Sequence, residues 1–181
     1  MTAYFILFLI FIICYLIGSI PFGLILTKLF DNNDLRNIGS GNIGATNVLR
    51  TGNKKLALLT LILDLSKSFI PLFIFFKLYP YPINNNFFNL IIVDKIFLIL
   101  LFGYFFVLGH CFPIWLKFKG GKGIATSLGV IFSIDFFIGL CLLTIWILVF
   151  LIFKISSLSA LISFKLHHFL PITIGLKIYQ Y

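Results

Sequence analysis

Apolar and polar positions segregate into long blocks along this chain. Thr2 to Thr27 is uncharged, Lys28 to Lys55 is polar, Gly-rich and basic, and Leu56 to Phe76 is apolar again except for Asp64 and Lys67. A Pro- and Asn-rich turn around Pro80–Asn89 leads into an apolar run at about Lys95–Trp115, and Lys117–Gly123 forms a second short basic loop. A fourth apolar run begins at about Ile124, and Asp135 and Gly139 mark the turn before a fifth at Phe136–Phe153. A sixth starts after Lys154 and the Ser156/Ser157 pair. Its continuation, Leu158–Leu170, is interrupted by Lys165, His167 and His168, and the tail Pro171–Tyr181 is too short for a further crossing. A spanning helix needs roughly 20 mostly apolar residues, so the blocks predict a chain that repeatedly crosses a bilayer.

Composition strengthens that reading. Of 181 residues, 61% are hydrophobic and only 10% charged, with 24 Phe and a mean hydropathy of +1.14, which excludes an ordinary water-soluble globule. Met1 to Thr27 lacks a basic leader and carries too long an apolar stretch for a signal peptide, so it is expected to be a first span. Fourteen Lys and Arg against five Asp give a net charge of +9, which suits anionic lipid or phosphorylated substrates. No nucleic-acid partner is expected. Cys14, Cys111 and Cys141 are scattered and read as buried free thiols.

The basic residues also predict orientation. Lys28, Arg36, Arg50, Lys54, Lys55, Lys117, Lys119, Lys122 and Lys154 collect on one side, whereas only Lys77 and Lys95 fall on the other. Retention of positive charge in the cytoplasm then places the N-terminus outside and both Gly-rich loops inside. No internal repeat is visible, so an inverted-repeat transporter finds no support.

The first loop reads Arg36-Asn37-Ile38-Gly39-Ser40-Gly41-Asn42-Ile43-Gly44-Ala45-Thr46-Asn47-Val48-Leu49-Arg50. Its glycines satisfy G-x-G-x-x-G, yet no strand precedes them, which makes a dinucleotide fold improbable. Two readings stay open for it. Small residues that expose backbone N–H groups, with Ser40, Asn42, Thr46, Asn47 and Arg50 as further donors, would hold a phosphate; a flexible polar turn would look similar. The second loop, Gly109 to Thr126, places Lys117, Lys119 and Lys122 around Gly120 and Gly121. It is not a Walker A sequence, because Gly123 follows Lys122, so ATP binding is not indicated. Its lysines suit either phosphate binding or simple anchoring, and its glycine density favours the former.

Asp64 and Lys67 share a helical face and offset each other's burial, either as a structural ion pair or as groups that shape a site near the cytoplasmic end. His110 is a candidate acid or base. No Ser/His/Asp set or metal-ligand cluster has readable spacing, and the H-x-x-x-x-D motif of soluble-type glycerolipid acyltransferases is absent. Neither covalent catalysis, a metal nor a cofactor is expected.

Taken together, Gly18-Ser19-Ile20-Pro21-Phe22-Gly23, the segment Gly39 to Asn47 with Arg50, and Gly109-His110-Cys111-Phe112-Pro113 with Phe118 to Gly123 resemble the bacterial acyl-phosphate:glycerol-3-phosphate acyltransferases, the PlsY family. The resemblance covers about Met1 to Leu161. It implies an all-α polytopic bundle of six to seven transmembrane helices in the bacterial inner membrane, a single domain over residues 1–181 with motif loops at about 31–55 and 117–123. The implied reaction transfers a fatty acyl group from acyl phosphate to the 1-hydroxyl of sn-glycerol 3-phosphate, forming lysophosphatidic acid for phospholipid synthesis. By motif match, Ser40, Arg50 and Lys122 bind phosphate, supported by Asn42, Thr46, Asn47, Lys117, Lys119, Gly120 and Gly121. His110, Lys122 and Ser40 stand closest to the chemistry, and Asp64 and Lys67 support them.

The sequence departs from the family's pattern in two places. Asp64-Leu65-Ser66-Lys67-Ser68 ends in Ser where the family usually has Gly. The family also continues through a seventh helix to a C-terminal motif of basic, Asn and Glu residues, so a shortened chain is expected here, and His167-His168 is not assigned to that motif. The rival readings are a noncatalytic membrane protein, as a degenerate homologue or a phosphate-responsive transporter, and an acyltransferase that uses acyl-CoA or acyl-carrier protein.

Overall fold

The computed structural model describes residues 2–31, 34–78 and 95–165. The segment Pro80–Asn89, His167, His168 and the tail Pro171–Tyr181 lie outside the described residues. Among those described, the helices are α1 (Thr2–Gly18), α2 (Phe22–Phe30), α3 (Ala45–Val48), α4 (Lys54–Leu78), α5 (Lys95–Cys111), α6 (Ile124–Ile134), α7 (Phe136–Phe153) and α8 (residues 156–165). Short 3-10 turns stand at Leu35–Asn37, Leu49–Thr51 and Ile114–Leu116, and no strand occurs among the described residues. Contacts group the chain into two units, Met1–Ile134 and Asp135–Tyr181.

The first apolar run is two helices, not one. Pro21 has no N–H to donate and disfavours helical backbone at Ile20, so α1 stops at Gly18 and α2 restarts at Phe22. The Ser19 N–H and hydroxyl both donate to the Tyr15 carbonyl at 2.8 Å, closing the end of α1. At the start of α4, Gly52 takes a left-handed φ of 91°, and the side chain of Asn53 accepts from the Leu56 N–H at 3.1 Å. The fourth run also differs from expectation. α6 has 11 residues, about 16 Å of rise, roughly half the hydrocarbon thickness. Among the described residues, four segments are long and apolar enough to cross: Tyr4–Phe30 taken through the break, Lys54–Leu78, Ile96–Leu116 and Phe136–Phe153.

Glycines set the helix spacing in the first unit. A side chain at Gly18 would strike the Phe106 backbone, and one at Gly109 would strike the Tyr15 carbonyl, so α1 and α5 cross in backbone contact. Gly129 of α6 meets the Leu65 carbonyl of α4 in the same way. There Thr126 donates to the Asp64 carbonyl at 3.1 Å, and Ser68 to the Thr126 carbonyl at 2.7 Å. Leu7, Cys14, Leu72, Leu98, Ile99, Phe102, Phe106 and Val130 form the apolar core of this bundle. Large side chains such as Phe5, Phe8 and Ile13 remain exposed on its outside, as a surface solvated by lipid requires.

In the second unit, Asp135 caps α7 by accepting from the Ile138 N–H at 2.9 Å. Gly139 is buried inside that helix rather than in the turn expected there. Lys154 ends α7 in a left-handed conformation, and the Trp146 indole donates to the Ser156 carbonyl at 3.3 Å.

Candidate functional site

The first loop is an ordered cap. Leu35, Ile43 and Val48 are buried and pack with Leu24, Leu26, Leu56 and Ala57, so the polar stretch hides an apolar underside. Asn47, 1% exposed, fastens it: its amide Nδ2 donates to the Leu35 carbonyl at 3.0 Å and the Ile38 carbonyl at 2.9 Å, and its Oδ1 accepts from the Ser40 N–H at 3.3 Å. Gly39 and Gly41 both have positive φ, 54° and 68°, which turns the chain tightly on either side of Ser40. The Gly41 N–H donates to the Ile38 carbonyl, and the Gly44 N–H to Asn42 Oδ1. Those of Asn42 and Ile43 have no internal acceptor among the described residues.

Arg50 lies across Gly39. A Cβ there would sit 2.6 Å from Arg50 Nη1, so the missing side chain leaves the guanidinium its place beside Ser40. Ser40 and Arg50 are exposed, and Arg50 has no hydrogen bond or ion pair among the described residues. At the loop's outer edge, Asp34 accepts from Arg36 through both carboxylate oxygens and lies 3.5 Å from Lys28. The Arg36 hydrogen bonds hold the Asp34 carboxyl well below the usual carboxylate range.

The second loop folds back on the end of α5. The N–H groups of Gly121 and Gly120 donate to the carbonyls of His110 and Cys111, at 3.0 and 3.1 Å, satisfying acceptors that a helix end leaves open. A side chain at Gly120 would collide with the His110 carbonyl, and one at Gly121 with the His110 imidazole. These two glycines therefore serve close approach, and their N–H groups are not free to hold a phosphate. Lys117, Lys119 and Lys122 stand exposed around them without internal partners among the described residues. Leu116 packs against the apolar cluster that Leu35, Ile43 and Val48 form with Leu24, Leu26, Leu56 and Ala57, so both loops rest on one cluster.

Beneath the loops lies a buried polar cluster. Lys67 Nζ donates to Asp64 Oδ1 at 2.9 Å and to the Ile20 carbonyl at 3.1 Å, and lies 2.9 Å from His110 Nδ1. His110 Nδ1 is also 3.5 Å from Asp64 Oδ1. Asp64 and Lys67 side chains are each 2% exposed.

The sequence-predicted residues thus separate into two sets. Ser40, Arg50, Lys117, Lys119 and Lys122 present exposed donors on the two loops, with Asn42 and Thr46 half-buried beside Ser40's turn. Asn47, Gly120 and Gly121 instead hold the loops in shape. Asp64, Lys67 and His110 meet below them. The Ile20 carbonyl and Leu116 were absent from the sequence reading. The Pro21 signal could have pointed to the first, since a broken helix frees a carbonyl, and nothing in the sequence marked the second.

A helical chain with an ordered basic loop over a buried Asp-Lys-His cluster defines an integral membrane protein with exposed cationic side chains on its loops. Comparison with known proteins narrows this. The sequence profile of the glycerol-3-phosphate acyltransferase family matches residues 8–179, beyond the Leu161 limit of the motif resemblance. The glycerol-3-phosphate acyltransferase of Bartonella henselae is 56% identical over 155 residues, 86% of this chain and 68% of that protein. That of Pelagibacter ubique is 52% identical over 149 residues, 82% of this chain and 70% of that protein. The crystal structure of PlsY, an integral membrane glycerol 3-phosphate acyltransferase, in its glycerol 3-phosphate form superposes with a TM-score of 0.75 at 35% identity, covering 98% of this chain and 80% of that one. Its lysophosphatidic acid form gives 0.73 at 34% identity, covering 97% of this chain and 78% of that one. The chain belongs to the glycerol-3-phosphate acyltransferase family.

Proposed function

We propose that this chain transfers a fatty acyl group from acyl phosphate to the 1-hydroxyl of sn-glycerol 3-phosphate, releasing lysophosphatidic acid and phosphate. It is an acyltransferase of phospholipid synthesis in the bacterial inner membrane. The observation that carries the reading is that the two loops leave Arg50, beside Ser40, and Lys117, Lys119 and Lys122 exposed, with no side-chain partner among the described residues. Both substrates carry phosphate, and one also carries an acyl chain that lipid can hold.

In the proposed mechanism, the glycerol 1-hydroxyl oxygen attacks the acyl carbonyl carbon and the bond from that carbon to the phosphate oxygen breaks. Phosphate departs with the electron pair, and the hydroxyl proton passes to a phosphate oxygen or to water. A phosphate leaving group needs little protonation, so positioning and charge neutralisation supply much of the rate. Arg50, Lys122 and Ser40 bind phosphate, with Asn42, Thr46, Lys117 and Lys119 assisting and Asn47, Gly120 and Gly121 holding the loops that carry them. His110 sits behind the second loop with Nδ1 2.9 Å from Lys67 Nζ, and the proposed mechanism uses it to support that loop, with the proton going to phosphate or water. The proposed orientation puts the N-terminus outside and both loops in the cytoplasm, where glycerol 3-phosphate is dissolved.

The reading is tested by reconstituting the purified chain in lipid and supplying glycerol 3-phosphate with palmitoyl phosphate or palmitoyl-CoA. Lysophosphatidate formed from palmitoyl phosphate alone is the expected result. Product from palmitoyl-CoA alone would overturn the donor, and product from neither would overturn the reaction.

A further inference from the structure

Lys67 is buried on α4 in a bundle that faces lipid, where an ammonium persists only if its N–H bonds find acceptors. Three groups surround it, and they come from three places: Asp64 Oδ1 on α4 itself and the Ile20 carbonyl at the break between α1 and α2, which accept from it, and His110 Nδ1 in the last turn of α5, 2.9 Å from Lys67 Nζ and farther, at 3.5 Å, from Asp64 Oδ1. The Phe22 ring, its centroid 5.8 Å from Nζ, lies on a further side. With Asp64 as carboxylate and His110 neutral, the cluster carries no net charge, the state that burial favours.

The chemistry of this contact fixes the imidazole. An ammonium has only donors, so His110 can bond to it only through an unprotonated Nδ1, and the ring proton then stands on Nε2. The Nε2 edge faces the backbone of Gly121, where any side chain would collide with it. Gly121 in turn donates its N–H to the His110 carbonyl, and Lys122 is the next residue. The ring is therefore a spacer with Lys67 on one edge and the glycine strap on the other.

We propose that Lys67 is a positioning residue for acyl transfer: it holds His110 as the neutral Nε2–H tautomer, and the imidazole seats the Gly120–Gly121 strap that presents Lys122. The kinetic consequence rests on the acyl-transfer reading, whereas the tautomer and the seating of the strap do not. The competing role for Lys67 is compensation of the Asp64 charge alone.

Two variants separate these roles. Lys67→Met strands the Asp64 carboxylate in an apolar interior, and Asp64→Asn would put an amide donor near His110 Nδ1, so the informative protein is the Asp64→Leu/Lys67→Met pair, which keeps the cluster neutral while removing every side-chain donor to Nδ1. The chain has three histidines, so nitrogen-15 NMR of histidine-labelled protein in lipid nanodiscs, with His110→Asn for assignment, resolves the ring. In the native protein near neutral pH we expect a protonated Nε2 and a hydrogen-bonded, unprotonated Nδ1. In the pair variant the Nδ1 hydrogen bond is lost, and kcat with palmitoyl phosphate falls at least about tenfold while circular dichroism shows a folded chain. An Nδ1–H or doubly protonated ring in the native protein would overturn the proposal. So would a pair variant with native kcat and a native His110 spectrum. A native protein that shows the expected tautomer yet makes no lysophosphatidate would overturn the acyl-transfer reading and leave the seating of the strap supported.

Discussion

Asn47 illustrates how one amide can turn a polar stretch into a platform. It bonds two carbonyls and one N–H of the first loop; the Leu35 and Ile38 carbonyls also accept from the Ile38 and Gly41 N–H groups, whereas the Ser40 N–H has no other acceptor among the described residues. Asn47→Ala is expected to cost about 2–4 kcal/mol, because it removes three hydrogen bonds that fasten the loop, and to lower the melting temperature of the purified protein together with its activity. A variant that melts like the native chain would remove the fastening role. Asp34 makes the opposite case at the surface. Its folded-state pKa is depressed by Arg36, so its contribution to loop stability is full above the ordinary carboxylate range and is lost as pH falls through the lowered value. Asp34→Asn should therefore reduce the melting temperature slightly near pH ~7, by no more than about 2 °C, with the difference from the native protein vanishing in strong acid. Melting curves over that range check both parts. Sequence reasoning placed Asn47, Gly120 and Gly121 among phosphate donors because residue type shows what a group can bond, and only the fold shows that carbonyls of the same chain have taken the bonds.

At the scale of elements, the long runs were legible and their interruptions less so. α7 spans Phe136–Phe153 as the apolar pattern indicates, and α4 extends the Leu56–Phe76 run by two residues at each end. The first run conceals a break, since Gly18 and Pro21 were visible in the sequence but apolarity alone does not distinguish one helix from two. Helix crossings were invisible, because they depend on which glycine faces which backbone. Gly109→Ala inserts a methyl group against the Tyr15 carbonyl and is expected to destabilise the protein by about 1–3 kcal/mol, readable as a lower melting temperature. Unchanged stability would contradict the close α1–α5 crossing. Ser68, where the family usually carries Gly, strengthens the α4–α6 contact by donating to Thr126. Ser68→Gly should cost about 1 kcal/mol through this lost bond and the greater backbone freedom of glycine, and a more stable variant would show the serine to be a strain.

For the whole molecule, the lipid-facing exterior follows from composition, and the site follows from two loops that lie more than sixty residues apart in sequence between Arg50 and Lys122. The motifs identified the family, but they could not show that Leu116 packs against the apolar cluster beneath the first loop or that Lys67 and His110 meet below the loops. Those contacts join segments with no periodic relation. The central claim is that both loops serve one phosphate-binding site for acyl transfer. The most direct test is lysophosphatidate formation from palmitoyl phosphate by the native chain, Arg50→Ala and Lys122→Ala, reconstituted alike and checked for equal membrane insertion. The account predicts product from the native chain and a loss of about 10²-fold or more in each variant, whereas full activity in either variant would contradict it.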